Sequence, residues 1–217
     1  MTIPLYKRII SFLFPVLLEK KNDFYGKEHK IELYQNQLML STSSAIYSFG
    51  VNYYPFTKSL KKIKKEIPFV TSFLLLGTGL GSALKILQEN YQCYPKSTLV
   101  DFNQTLLDLS KELMELNAKQ NVEWVCQEAS FYIEQHLDQY DLIGIDIFVD
   151  MSVPLFVKSS EFVSKIKKRL TPQGIALFNL TFTSSNEQLI VENRLKTTFN
   201  HVEPIKHNLN YFYICKN

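Results

Sequence analysis

The sequence has little charge of one sign, few cysteines and no long apolar run. Lys and Arg total 24 against 21 acidic residues, a formal charge of +3, and so balanced a chain offers no electrostatic footprint for nucleic acid. The lysine-rich stretches "KSLKKIKK" and "KIKKRL" fit the polar faces of amphipathic helices, and no aromatics interleave with them as a base-stacking platform requires. Cys93, Cys126 and Cys215 are odd in number and far apart, with no CxxC and no histidine at ligand spacing. That excludes a disulfide framework and a zinc site, and reads as reduced thiols in a cytoplasmic protein. His29, His136, His201 and His207 are scattered, with neither HExxH nor GxSxG, so metal hydrolysis and serine-type acyl transfer have no support. The apolar run "IISFLFPVLL" is ten residues long and broken by Pro15, whereas a membrane span needs about 20. It leads into "EKKND" with no small-residue cleavage site, so it reads as neither signal peptide nor span. The expectation is that it packs against the body or across a subunit interface.

What is present is enough apolar residue, 46% of 217, to bury one core with a small appendage. Residues 29–54 alternate in short stretches rich in Tyr, Ile and Thr and read as an antiparallel hairpin unit. "TKSLKKIKKEI" puts Leu60, Ile63 and Ile67 on one helical face, closed by Pro68. Beyond it, strands are expected at about 69–76, 97–101, 122–126, 141–146 and 174–180, and helices at about 81–90, 104–119, 129–137, 159–170 and 186–197. Such alternation means a parallel sheet covered by helices on both faces. "HVEPI" and "NLNYFYIC" read as an antiparallel pair finishing it, the second as a buried edge strand, and Trp124 as core. The expected fold is α/β: a Rossmann-like, seven-stranded, mostly parallel sheet with a small N-terminal β-hairpin unit. Residues 1–67 form the helix, hairpin unit and linking helix, and 68–217 the nucleoside-binding α/β domain.

Only seven glycines occur, and three of them fall at alternate positions, Gly77, Gly79 and Gly81, where the first buried strand feeds a helix. In such a sheet this is the ligand end: glycines allow positive φ and close approach of backbone, and the helix start offers unpaired N–H groups. Asp101 ends the next strand 24 residues after Gly77, where a carboxylate can accept both ribose hydroxyls of a nucleoside. The competing reading takes the glycines as packing devices and Asp101 as a turn residue. A dinucleotide site would show GxGxxG, whereas the third glycine comes one residue early and position 82 is Ser. An adenosyl sulfonium is therefore favoured over a dinucleotide.

With those residues in view, the chain resembles the spermidine synthase-like branch of the class I S-adenosylmethionine-dependent methyltransferase fold. "LLLGTGLGSAL" resembles its nucleotide loop and "TLVDFNQTLLDLSKEL" its ribose-binding segment. "CQEAS" resembles the element beside adenine, and "AIYSFGVNYY" the N-terminal hairpin region. The longest match is "QYDLIGIDIFVDMSVPLFVKSSEFVSKIKKRLTPQGIALFNL". Carried over by this likeness, Gly77, Thr78, Gly79, Gly81, Asp101, Phe102, Glu128, Ala129 and Asp146 hold S-adenosylmethionine or its decarboxylated form. Asp146 and Asp150 are the candidate catalytic acids, and Tyr53, Tyr54 and Asn179 face the acceptor. The likeness also implies a homodimer formed through the N-terminal region.

Two positions depart from the family pattern. The family's active-site Asp lies three residues beyond the strand-end acid, which here is Val149, and the Asp expected inside the glycine loop is Leu80. Val149 cannot take a proton, although Asp150 is adjacent. The expected activity is therefore a methyltransferase-type transfer to a small molecule, with no nucleic acid and no membrane involved. The alternative is a nucleoside-binding or regulatory protein that has lost catalysis.

Overall fold

The computed structural model describes residues 3–114 and 121–217. Two sheets account for its strands. A four-stranded antiparallel meander runs β1 (Val16–Asn22), β2 (Glu28–Tyr34), β3 (Gln37–Ser41) and β4 (Ile46–Phe49) in that order. The larger sheet comprises β5 (Ser72–Leu76), β6 (Lys96–Asp101), β7 (Val122–Cys126), β8 (Tyr140–Ile145), β9 (Leu170–Thr181), β10 (His201–His207) and β11 (Asn210–Lys216). Its order is β10-β11-β9-β8-β5-β6-β7, with β11 antiparallel to both neighbours and the pairs from β9 to β7 parallel.

The central strands carry apolar side chains on both faces because helices cover both. Leu74, Leu76, Ile143, Ile145 and Phe178 point one way, against α5 (Ala129–Gln135), α6 (Ser160–Lys168) and α7 (Ser185–Thr198). Phe73, Leu75, Leu142 and Leu177 point the other way, against α2 (Tyr54–Lys62) and α3 (Ser82–Tyr91). The remaining helices are α1 (Leu5–Ile10) and α4 (Gln104–Leu113). Oxygen caps fix several starts: Asn103 accepts the Thr105 N–H at 3.1 Å, Ser159 that of Phe162 at 3.1 Å, and Ser184 that of Glu187 at 3.1 Å.

The meander is docked over the end of the large sheet. Ile31 and Leu40 from it pack with Leu80, Leu106 and Leu109 in a third apolar cluster, and the hydroxyls of Ser48 and Ser82 meet at 2.5 Å. This places the meander over the glycine loop and forms one wall of a cleft.

Several expectations need correction. The expected N-terminal antiparallel hairpin unit is present with four strands and begins ahead of residue 29, and β1 takes up the end of the apolar run read as one packing segment. Ile9, Phe12, Leu13 and Phe14 of that run lie exposed instead of against the body, because Pro15 ends the helical turns and only the residues beyond it find a strand partner. The linking helix starts earlier, at Tyr54, with Pro55 in its first turn, and ends at Lys62. Ile63 and Ile67 are nevertheless buried, and Pro68 sits in a 3₁₀ turn. The first strand of the large sheet begins at Ser72 rather than 69. The edge strand is β10, not the "NYFYIC" strand β11. Trp124, on the outer strand β7, is only partly buried. The end of the helix expected over 104–119 lies outside the described residues.

Candidate functional site

At the carboxyl ends of β5, β6, β8 and β9 the meander and the following loops enclose a cleft of about 1590 Å³. Its floor begins at the glycine loop, where Gly77, Gly79 and Gly81 have φ of +86°, +53° and +72°. A Cβ on Gly77 would stand 2.2 Å from the Asp146 carbonyl oxygen, and one on Gly79 2.8 Å from that of Tyr47. Backbone crossing from β8 and β4 therefore demands both glycines, so close packing alone accounts for them.

Asp101 ends β6 beneath this loop. Its carboxylate accepts the Thr78 N–H at 2.9 Å and the Asn103 N–H at 3.0 Å. Burial pushes its carboxyl above the usual range, against the pull of N–H groups from Asn103, Thr78 and Gly79. Each oxygen keeps a lone pair for a further donor, and the residue lines the cleft. Asn103 also donates to Asp23 at 2.7 Å, and Asp23 holds the His29 Nε2 at 3.0 Å. Because Asp23 is an acceptor whose own titration is held low by these contacts against the cost of burial, Nε2 carries the proton. His29 Nδ1 and Thr78 Oγ1 are buried with no protein partner among the described residues.

On the adenine side expected from the sequence, Phe102 is half exposed, Ala129 is buried and Glu128 caps α5 through the Ser130 N–H at 3.3 Å. Toward β9, the Asp146 carboxylate accepts the Asn179 side-chain N–H at 2.7 Å, and Asn179 in turn accepts from Asn210 at 2.9 Å. Enclosure by protein lifts the Asp146 carboxyl to about 6, opposed by Asn179 and the Tyr53 hydroxyl and aided by the charge on Asp101. Tyr54 stacks on His207 with ring centroids 3.5 Å apart.

The cleft thus gathers Gly77, Gly79, Asp101, Phe102, Glu128, Ala129, Asp146, Asp150, Tyr53, Tyr54 and Asn179. Thr78 and Gly81 lie outside its wall: Thr78 supports Asp101 from behind, and a Cβ on Gly81 would meet the Met114 sulfur at 2.5 Å. Asp150 is on the rim with φ +55°, its carboxylate ion-paired with Lys27, while the Tyr47 hydroxyl accepts the Asp150 N–H at 2.9 Å. Lys27 holds the Asp150 carboxyl below the ordinary range. Val149 is 53% exposed at the rim, whereas Leu80 is buried in the apolar cluster below the meander.

Sequence reasoning missed Asp23, Lys27, His29 and Tyr47, all delivered by the meander. It also missed Phe148, Phe156, Lys158 and Phe182 on the opposite wall. No local pattern marks them, because they converge only through docking of one sheet over another. Among the described residues no group of His, Cys, Asp and Glu could hold a metal ion, and no helix is long and apolar enough to cross a membrane.

No protein-family model matches the chain. A probable polyamine aminopropyl transferase of Bifidobacterium longum is 28% identical over 123 residues, covering 56% of this chain and 26% of that protein, so the match spans about a quarter of the relative's length. The crystal structure of a probable spermidine synthase from Corynebacterium glutamicum superposes with a TM-score of 0.77 at 16% identity, over 92% of this chain and 80% of that one. Human methyltransferase-like protein 13, in complex with SAH, gives 0.61 at 18% identity, over 73% of this chain and 77% of that one. The neighbours point to spermidine synthase-like proteins of the class I methyltransferase fold.

Proposed function

We propose that the protein is a transferase that binds S-adenosylmethionine or its decarboxylated form in this cleft and acts on a small-molecule acceptor, most consistently by methyl transfer. The observation that carries the reading is Asp101, a carboxylate at the end of β6, braced by the glycine-loop N–H of Thr78 and facing an open cleft. The residues present fit the donor. Asp101 has free lone pairs for ribose hydroxyls, Phe102 and Ala129 offer apolar surface for adenine, and His29 Nδ1, on the cleft wall, is a buried polar atom without a partner among the described residues.

When bound, the sulfonium supplies an activated carbon; orienting an acceptor beside it gives much of the rate. Asp146 holds the remaining task. With its carboxyl lifted to about 6 it is ionised at neutral pH, yet basic enough to take the acceptor's proton, and Asn179 and Tyr53 fix its orientation. Asp150, paired with Lys27, ties the loop after β8 to the meander.

Aminopropyl transfer is the weaker form of the reading, because Val149 and Leu80 occupy the positions of the two acids in the resembled family. The same two residues favour a second reading, in which the chain binds the nucleoside without turning it over. Incubation with each donor and an acceptor panel that includes putrescine separates the three. S-adenosylhomocysteine reports methyl transfer and methylthioadenosine reports aminopropyl transfer. Neither product, despite donor binding, supports the inactive reading.

A further inference from the structure

Resting on that transferase reading, we infer that the acceptor is an uncharged, largely aromatic molecule with one protic group, not a polyamine. The acceptor end of the cleft, between the loop after β8 and the end of β9, is walled by Phe148, Phe156 and Phe182 and rimmed by the exposed side chains of Val149, Met151 and Leu155. Its charges are already used. Lys158, 7% exposed, is paired with Glu187 at 2.7 Å, and that partnership helps hold the Glu187 carboxyl down to about 2 despite burial. Asp150 is paired with Lys27. Among the described residues, Asp146 is the single carboxylate left at this end, and it already accepts from Asn179.

A diamine or triamine brings two or more ammonium groups, and each one removed from water without a partner carries a desolvation cost of several kcal/mol. Aromatic faces could substitute through cation–π contact, but Phe182 at this end and Tyr47 on the meander are each already met by a cation. Lys158 Nζ lies 5.3 Å from the Phe182 ring centroid and Lys27 Nζ 5.2 Å from that of Tyr47. A polycation would therefore meet like charge where it needs opposite charge. A flat apolar molecule stacks on the phenylalanines and presents its one hydroxyl or amine to Asp146.

The test uses the full chain and titrates 2-naphthol, putrescine and spermidine, each with and without S-adenosylhomocysteine, following binding by saturation-transfer NMR and calorimetry. The expected result is that 2-naphthol binds and the amines do not at the same millimolar concentrations. Phe182→Ser should weaken 2-naphthol about tenfold or more without altering nucleoside affinity, and Val149→Asp should gain putrescine binding. Putrescine or spermidine binding the unaltered chain more tightly than 2-naphthol overturns the inference, as does failure of all three. Loss of nucleoside binding would instead count against the transferase reading, since the comparison among the three probes is made without nucleoside as well.

Discussion

Two carboxylates, at the ends of the strands flanking β5, line the cleft, and each has a distinct measurable consequence. On the proposed reading, Asp101→Asn removes the charge that would hold ribose through charge-assisted hydrogen bonds, each contributing roughly 1.5–3 kcal/mol, so calorimetry should show donor affinity falling at least ~10-fold. For Asp146 the sign follows from its raised titration. Between an ordinary carboxyl near 3.8 and the folded value of about 6, the folded chain binds more protons than the unfolded one, so stability falls as pH rises through that window. The cost, up to ~3 kcal/mol, is complete above it. Asp146→Asn, which keeps an oxygen for Asn179, should be more stable than the unaltered chain in urea at about pH 7 and nearly equal at about pH 4. On the proposed transferase reading, its turnover should drop by ~10²-fold or more, and the unaltered chain's rate should rise with pH through about 6. At this scale Asp101 and Asp146 were legible because each ends a buried strand beside a recognisable loop. Lys27 was not, since its contacts to Tyr47 and Asp150 join residues 20 and 123 positions apart in sequence.

At the scale of elements, strand β5 followed by α3 was readable because its short apolar run stops at glycines that open a helical pattern, which fits a strand buried on both faces. Gly77→Ala would force φ +86° on a residue with a Cβ pressed against the Asp146 carbonyl. Strain plus overpacking should cost more than ~2 kcal/mol and lower Tm by at least ~5 °C in a thermal melt. Strand β1 was illegible for the opposite reason. "FPVLL" has an apolar run without alternation, and only pairing with β2 makes it a strand. The latch between elements can be tested separately. Lys27→Ala should leave Tm almost unchanged, as expected for a largely exposed ion pair, while amide exchange over residues 147–153 speeds up because the loop loses its tie to the meander. Unchanged exchange there would show that the pair does not restrain the loop.

Across the whole molecule, a balanced charge and an α/β alternation were enough to anticipate the sheet and the end at which the cleft opens, since strand order follows from short, right-handed connections. The cleft's other wall comes from the meander, whose placement depends on the apolar contact of Ile31 and Leu40 with Leu80 and α4, a long-range match that no local pattern encodes. The reading of the molecule as a nucleoside-dependent transferase depends on what that cleft binds. Isothermal titration of the purified chain with S-adenosylmethionine, its decarboxylated form and NAD decides this most directly. Saturable binding of an adenosyl sulfonium, weakened in Asp101→Asn and absent for NAD, is the predicted result. NAD binding more tightly than either sulfonium, or no heat with any of the three, would contradict it.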